Sequence, residues 1–396
     1  MINHENKQID FTDEMLERLV IEQHPYRKIK KMINFEKLLK PLESLYASKG
    51  MPGEPIERGF KCLLIQYWEN LSDRELERYV RENLPMRWFC GYKLDEGTPD
   101  HSYFGKLRTR IGVEKISELF NQIVKGLETR GYVGNIFHFV DASSLMSRIN
   151  LWEARDRALA DKENQEKDDT GKKKLNNKNA YRYSSDPDAR FGCKGKKNFW
   201  FGYKRHVRVD MRQGIITKVA VTSANVGDHR AFLTENLCPK QGMVFLDKGT
   251  VAVSPFRGIL LKIVILSEAK DLHENCYFKR TFGDSSPSVQ NDISGKNGVC
   301  RHSHKGYDTD EINTSITKIG CANAGIKKNN RANKNKYLDR WRSRVRMPYE
   351  NVFRYQPKFT RYRKKRWVDF QVLMEAIAYN LKRLITIDAL PIPIQT

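Results

Sequence analysis

Apolar residues recur at helical spacing through the first third of the chain. From Gly59 to Leu71 they fall on every side of the expected helix, which predicts a helix enclosed by other elements. Ser72 and Glu75 then form the pattern of a capping box, so a second helix is expected to begin there. The apolar residues that follow it at intervals of three or four are Leu76, Tyr79, Val80 and Leu84.

A basic helix is predicted after this pair. Pro99 and Asp100 are typical helix-start residues, and three basic residues follow within one expected helix, namely Lys106, Arg108 and Arg110. A helix, a short turn and a basic helix are compatible with a helix-turn-helix that binds DNA. An ordinary helical bundle with a charged face explains each helix equally well, and that alternative stays open.

The hydrophobic period changes from helix to strand at Asn135. Residues 135–143 read as a short apolar strand that ends in Asp141, and residues 242–249 as a strand that ends at Asp247. Between them, residues 200–210 and 214–224 read as a hairpin and residues 228–237 as a helix. Residues 148–179 are rich in charge and Asn, which predicts an exposed linker. This order indicates an α/β fold with a mixed sheet.

The charge of the chain indicates a polyanionic partner. Its 396 residues carry a formal net charge of +23. Residues 323–366 hold sixteen Lys or Arg against two acids and are interspersed with aromatic residues, which suits nucleic acid better than a solvated tail does. The seven cysteines are scattered, with no Cys-x-x-Cys pair, which argues against a disulfide scaffold or a zinc ribbon. No membrane span or signal pattern is evident, so we expect the protein inside the cell.

Three acids are candidates for a metal site. Asp141 and Asp247 each end a predicted strand, and ligands collect at strand carboxyl ends in open α/β sheets. Two neighbouring carboxylates repel unless a cation lies between them, and Mg²⁺ prefers such oxygen ligands. Glu350 is the third acid, isolated in a basic region. For one strand-end Asp alone, a turn or cap role is the simpler interpretation, and Glu350 has a possible salt-bridge partner in Arg346.

Several ordered motifs resemble the DDE transposases of the insertion-sequence four/five superfamily. They are FVDAS, DPDARFGCKGKKNFWFGYKRHVRVD, TSANVGDHRAF, VFLDKG, RVRMPYENVF and EAIAYNLKRL. The resemblance implies a ribonuclease H-like catalytic domain in which Asp141, Asp247 and Glu350 hold two divalent metal ions. The related signature places a Tyr, an Arg and a Lys around the Glu. Arg346 fits it, whereas Ser343 and Pro357 depart from it and Lys358 stands beside the expected Lys position.

The same resemblance implies a transposase that cleaves and transfers the strands of its own insertion sequence. Mg²⁺ is the expected cofactor, as two ions that Mn²⁺ can replace. The expected partners are the terminal inverted repeats and a target duplex, bound by a homodimer in the cytoplasm at the nucleoid, without a membrane. The residues expected to contact DNA are Lys106, Arg108, Arg110, Lys194, Lys196, Lys197, Lys204, Arg205, Arg346 and Lys358. The alternatives are a catalytically dead DNA-binding repressor of the element and a non-specific nuclease.

An interruption is expected between the second and third acids. Lys-Gly occurs at 248–249 and again at 305–306, and removing residues 250–306 rejoins the chain as LDKGYDTDEI, as the family would read. We interpret this piece as an in-frame insert, although a genuine insertion domain is the rival. The predicted organisation is therefore a helical DNA-binding region (1–132), a catalytic domain (133–249 and 307–388), the insert (250–306) and a tail (389–396).

Overall fold

A computed structural model describes residues 11–46, 53–149, 165–167, 173–175, 184–194, 198–239, 243–246, 348–349, 351–387 and 392. Seven helices precede the sheet in this part of the chain: α1 (Phe11–Leu19), α2 (Pro25–Met32), α3 (Phe35–Leu39), α4 (Ile56–Trp68), α5 (Asp73–Glu82), α6 (Leu84–Cys90) and α7 (His101–Thr129). A 3₁₀ helix, Lys40–Leu45, follows α3. The prediction of a helical N-terminal region is confirmed.

The predicted helix starts are also confirmed. The Ser72 hydroxyl accepts a hydrogen bond from the Glu75 amide at 3.3 Å, and the Glu75 carboxylate accepts one from the Ser72 amide at 2.8 Å, which completes the capping box. Asp100 caps α7. Leu84, however, does not extend α5, because Asn83 ends that helix and its side chain caps α6. Inside α7, Gly112 has φ +71° and breaks the regular helix, a conformation that glycine tolerates best.

Seven strands follow in the described part of the chain. They are β1 (Phe137–Met146), β2 (Gln165–Lys167), β3 (Lys173–Leu175), β4 (Arg190–Lys194), β5 (Asn198–Asp210), β6 (Ile215–Ser223) and β7 (Met243–Leu246). Five of them form a mixed sheet, and β2 and β3 form a separate two-stranded sheet. Strand β5 pairs antiparallel with β1, β4 and β6, whereas β7 pairs parallel with β1. Helix α8 (Asp228–Thr234) connects β6 to β7. A 3₁₀ helix, Asn351–Tyr355, and the long helix α9 (Lys365–Thr386) follow.

One expectation about this region is wrong. Asp141 lies in the middle of β1 rather than at its end, because β1 continues to pair with β5 as far as Met146 opposite Gly202. Only the pairing with β7 stops before Asp141, at Val140 opposite Leu246. Within the predicted linker, β2 and β3 form a short antiparallel pair.

Helix α9 lies at the centre of the main hydrophobic core. Its buried residues include Phe370, Met374 and Ile377, and it packs against β6, α7 and α4. One continuous core thus joins the N-terminal helices to one face of the sheet. On the other face, Val140 packs with Phe232 and Leu237 in a smaller cluster. None of the helices that the structure describes is long and apolar enough to cross a membrane.

Candidate active site

Asp141 lies on the sheet face that α9 covers. Side chains two positions apart along a strand share a face, so Asp141 lies with Phe139 and Leu145, both buried in the main core. The Asp141 side chain is half-buried, and its Oδ1 accepts a hydrogen bond from the Ala142 amide at 2.7 Å. This carboxylate is therefore held at the middle of the sheet, close to where β7 ends.

The other two predicted acids lie outside the described residues, but their neighbours do not. Asp247 directly follows Leu246, the last residue of β7. Glu350 directly follows Tyr349, whose ring centroid lies 6.4 Å from that of Phe139. The Tyr349 hydroxyl donates a 2.5 Å hydrogen bond to the Met211 carbonyl, and burial raises its pKa. The chain on each side of Glu350 is thus anchored, since Val352 is buried as well.

The chain that follows Glu350 is bonded to the far end of β1. The Met146 amide donates to the Lys358 carbonyl at 2.8 Å, and the Thr360 amide donates to the Met146 carbonyl at 2.8 Å. Phe359 thereby forms a parallel bridge with Met146. The strand that carries Asp141 is consequently tied to the segment 356–361.

Arg205 is buried and does not reach a DNA-accessible surface, contrary to the sequence-based expectation. Its side chain is 1% exposed and forms an ion pair with Glu375 of α9 at 2.8 Å. It also donates to the Gln356 side-chain oxygen at 2.6 Å and to the Pro357 carbonyl. Burial lowers the pKa of Arg205 and raises that of Glu375, and each charge opposes the shift of the other. Both groups are fully desolvated by the contact between β5 and α9.

Its neighbour Lys204 is likewise bound within the protein. Its ammonium group contacts the Asp228 carboxylate and the Val226 carbonyl, both at 2.9 Å, and its side chain is 15% exposed. Lys204 therefore secures the start of α8, and any role at a DNA path is limited by these contacts.

Of the three residues of the basic helix α7 that were predicted to contact DNA, two lie on the surface and one is buried. Lys106 and Arg110 are exposed. Arg108 is 5% exposed and forms a two-point contact with Asp73, through oxygen atoms at 2.9 and 2.5 Å. Its guanidinium group also lies 4.9 Å from the ring centroid of Tyr362. Arg108 thus joins α7, α5 and the chain before α9, and its burial argues against the expected contact with DNA.

Most of the remaining residues that were predicted to contact DNA lie outside the described residues. Lys358 is exposed beside the Met146 bridge. Lys194 ends β4, where its side chain is not described. Those that lie outside the described residues are Lys196, Lys197 and Arg346.

Two buried polar groups were missed from the sequence. His206 is 2% exposed and shares a 2.9 Å hydrogen bond with the Thr222 hydroxyl, and burial lowers its pKa to about 4. Gln371 donates to the Glu375 carboxylate at 2.7 Å, four residues further along α9. The sequence signal for the contact between Gln371 and Glu375 was the spacing of these two polar residues, four apart inside an otherwise apolar helix.

Carboxylates from the described residues alone do not form a metal site. No group of three or more His, Cys, Asp or Glu side chains there has a metal-binding arrangement, and two of the three predicted acids are not among them. The part that is described supplies the frame: β1 with Asp141, β7 leading to position 247, and Tyr349 leading to position 350.

Comparison with known families agrees with the motifs. Residues 14–110 match the family described as Transposase domain (DUF772), and residues 166–253 match the Transposase DDE domain. The first match ends two residues before the break at Gly112, and the second includes Asp247 but not Asp141 or Glu350. No solved structure matches the chain at a significant level. The two family matches, in this order on a helical region and a mixed sheet, indicate a DDE transposase of the insertion-sequence four and five families.

Proposed function

We propose that this transposase cleaves and joins DNA at the ends of its own element with Asp141, Asp247 and Glu350 as the catalytic acids. The observation that carries the proposal is the parallel register of β1 and β7. It pairs Val140 with Leu246, and the next residues along the chain from these two are Asp141 and Asp247. Neighbouring strands are about 4.8 Å apart, and paired residues share a face. Continuing the register by one residue would bring the two carboxylates together.

The position of Tyr349 supports Glu350 as the third acid. Its ring contacts Phe139, which lies two residues before Asp141 on the same face of β1. The chain directly before Glu350, at Tyr349, therefore lies against the face of the sheet that carries Asp141. From there it continues to the bonds with Met146, which fix its direction along β1.

The donor chemistry of this site fits divalent cations. Two adjacent carboxylates repel each other, and a third acid adds to the repulsion unless cations are bound. Carboxylate oxygens are preferred ligands of Mg²⁺, and Mn²⁺ takes the same donors. When bound, a pair of such ions polarises a phosphodiester and stabilises the attacking and leaving oxygens. Asp141, Asp247 and Glu350 would hold them, and the half-burial of Asp141 leaves it open to a phosphate from one side.

Exposed basic side chains supply the expected contacts to the DNA backbone. Lys106 and Arg110 lie on the surface of α7, and Lys358 lies beside the end of β1. The net charge of +23 on the whole chain favours association with a polyanion such as DNA. The proposed substrates are the terminal inverted repeats and a target duplex, bound by a homodimer, which is the assembly that the family resemblance implies.

The segment 250–306 is proposed to be an insert that impairs this activity. The match to the Transposase DDE domain ends at residue 253, four residues after Gly249, which agrees with a foreign sequence beginning there. A longer loop adds little to the entropy of closure, about 0.6 kcal/mol per doubling. The apolar run at residues 255–266 of the insert is the greater problem, because such a run favours aggregation. Deletion of residues 250–306 is expected to raise both solubility and strand transfer. Equal behaviour of the two chains would make the insert harmless.

The catalytic proposal is tested with labelled element ends in the presence of Mg²⁺ or Mn²⁺. Asp141→Asn is expected to abolish cleavage in the intact chain and in the 250–306 deletion while leaving DNA binding in place. Glu118→Gln, the same kind of change on the exposed surface of α7, is the matched control and should cleave normally. Sequence-specific binding without cleavage by either parent chain would favour a repressor. Equal cutting of unrelated duplexes would favour a non-specific nuclease.

A further inference from the structure

Arg205 stands at the junction of the sheet, α9 and the chain after Glu350. Its guanidinium group contacts three acceptors, which are the Glu375 carboxylate at 2.8 Å, the Gln356 side-chain oxygen at 2.6 Å and the Pro357 carbonyl. Gln356 and Pro357 follow Glu350 by six and seven residues. On β1, the residue paired with Arg205 is Ser143, which shares its face with Asp141.

The segment 356–361 is held from its other side by a second set of bonds. The Gln371 side chain donates to the Phe359 carbonyl at 3.3 Å and accepts from the Arg361 amide at 2.7 Å. Gln371 also bonds Glu375, the partner of Arg205. Together with the two bonds to Met146, these contacts fix four consecutive positions of the segment, 358–361, relative to β1 and α9.

A buried ion pair is poorly explained by stability alone. Removing two charges from water is costly, and apolar replacements of similar volume are often as stable or more so. The planar guanidinium fork does provide defined directions for several acceptors at once, which a lysine does not. Arg205 directs this fork at two consecutive residues of the segment, in addition to Glu375. We therefore attribute to Arg205 the role of fixing the position of the segment 356–361.

We propose that Arg205 is a positioning residue of the active site. By holding Gln356 and Pro357 against β5, it fixes the chain that carries Glu350 relative to the strand that carries Asp141, and so sets the spacing of the acids for divalent cations. This inference rests on the proposed metal-dependent function. Arg205 itself touches neither the ions nor DNA.

The first measurement follows the segment directly in the full chain. Hydrogen exchange at the amides of Met146 and Thr360 reports whether the segment is docked on β1. Arg205→Lys keeps the charge and loses the fork, so faster exchange at both amides is expected. Gln356→Met removes one acceptor and leaves the pair with Glu375 intact, and it serves as the milder variant if Arg205→Lys does not fold. Unchanged exchange in the variant that folds would overturn the proposal.

The second measurement is a Mn²⁺ titration, followed by the paramagnetic resonance signal of the free ion. Arg205→Lys is expected to weaken Mn²⁺ binding about tenfold, as other changes behind metal ligands do. The control is Asn380→Ala, because Asn380 also ties α9 to the sheet, through two 2.8 Å bonds to the backbone of Ile216. It should lower thermal stability and leave Mn²⁺ affinity unchanged.

The outcomes separate this inference from the proposed function. Equal weakening of Mn²⁺ binding by Arg205→Lys and Asn380→Ala would reduce Arg205 to a general stabilising residue. No weakening by Arg205→Lys would overturn the positioning role as well. If the unmodified chain and Asp141→Asn bind Mn²⁺ equally, the proposed metal site itself fails, whereas the hydrogen-exchange result still tells whether Arg205 holds the segment.

Discussion

Substitution of Arg108 by Gln distinguishes a buried structural arginine from a DNA contact. The guanidinium group is 5% exposed and faces Asp73 and Tyr362 instead of solvent. Gln can keep one hydrogen bond to Asp73 but loses the second, charge-assisted one and the contact with the Tyr362 ring. We therefore expect Arg108→Gln to lower stability and to leave DNA affinity of the folded protein unchanged.

The magnitude follows from these contacts. One hydrogen bond to a charged partner contributes roughly 1.5–3 kcal/mol, and the cation–π contact adds about 0.5–1 kcal/mol. The Asp73 side chain is 31% exposed, so water compensates part of the loss. A net loss of about 2 kcal/mol is expected, which for a chain of 396 residues corresponds to a fall in Tm on the order of 2–3 °C.

The assay combines thermal unfolding with DNA binding at several salt concentrations, below the Tm of every variant. Lys106→Gln is the matched comparison, two residues earlier on the same helix and exposed. It should leave Tm unchanged and reduce the slope of log affinity against log salt by about 0.9, the value of one phosphate contact. The reasoning is refuted if Arg108→Gln reduces that slope by the same amount while Tm stays constant.

Three further substitutions test buried groups of the sheet and α9. The folded-state pKa of His206 is about 4, below the usual 6.5, so its stabilising effect is present above pH 6.5 and is lost as the pH falls towards 4. Between pH 7 and pH 4.5, protonation of His206 in the unfolded state should cost about 2 kcal/mol of unfolding free energy, and His206→Gln should abolish this loss, measured by urea unfolding at the two pH values. Burial raises the pKa of Asp369 to about 6, so its contribution is greatest below pH 4 and is lost as the pH rises through 6. Asp369→Asn should therefore stabilise the protein at pH 7, by up to about 3 kcal/mol, and a lower unfolding midpoint there would contradict the prediction. Gly202 has φ +150°, and a Cβ there would clash with the Leu145 carbonyl oxygen. Gly202→Ala should therefore lose about 1–3 kcal/mol of stability, by analogy with strained backbone sites, and a Tm equal to that of the parent would count against the prediction.

Local sequence signals predicted the local structure well. The Ser72 and Glu75 pair is a complete capping box, and Asp100 starts α7, because these contacts depend only on residues within one turn. The hairpin of β5 and β6 was likewise predictable, since it joins adjacent alternating segments through a short turn.

Burial of charged residues was not predictable in the same way. Arg205 lies in a basic stretch that reads as a DNA surface, yet its partner Glu375 is 170 residues further along the chain. Arg108 depends on Asp73 and on Tyr362 in the same manner. The sequence spacing of a charge does not tell which distant element will cover it, so tertiary contacts decide between surface and interior.

The sequence proposed the acids of the candidate site, and the structure added a frame that the sequence did not predict. Asp141 was expected at a strand end, whereas β1 passes through it to reach Met146 and the segment 356–361. That extension depends on the length of β5 and on the glycine at position 202, which the local pattern around Asp141 does not reveal.

The central position of α9 has a consequence for how this protein is made. Helix α4 and sheet strand β6 both pack against a helix that begins only at Lys365, so neither half has its full set of apolar contacts until the ribosome has synthesised that helix. A nascent chain that is released earlier, by a frameshift or a premature stop codon, would expose the apolar sides of both halves together. Such fragments should be degraded or should aggregate, instead of persisting as a separate helical domain that competes for the element's ends.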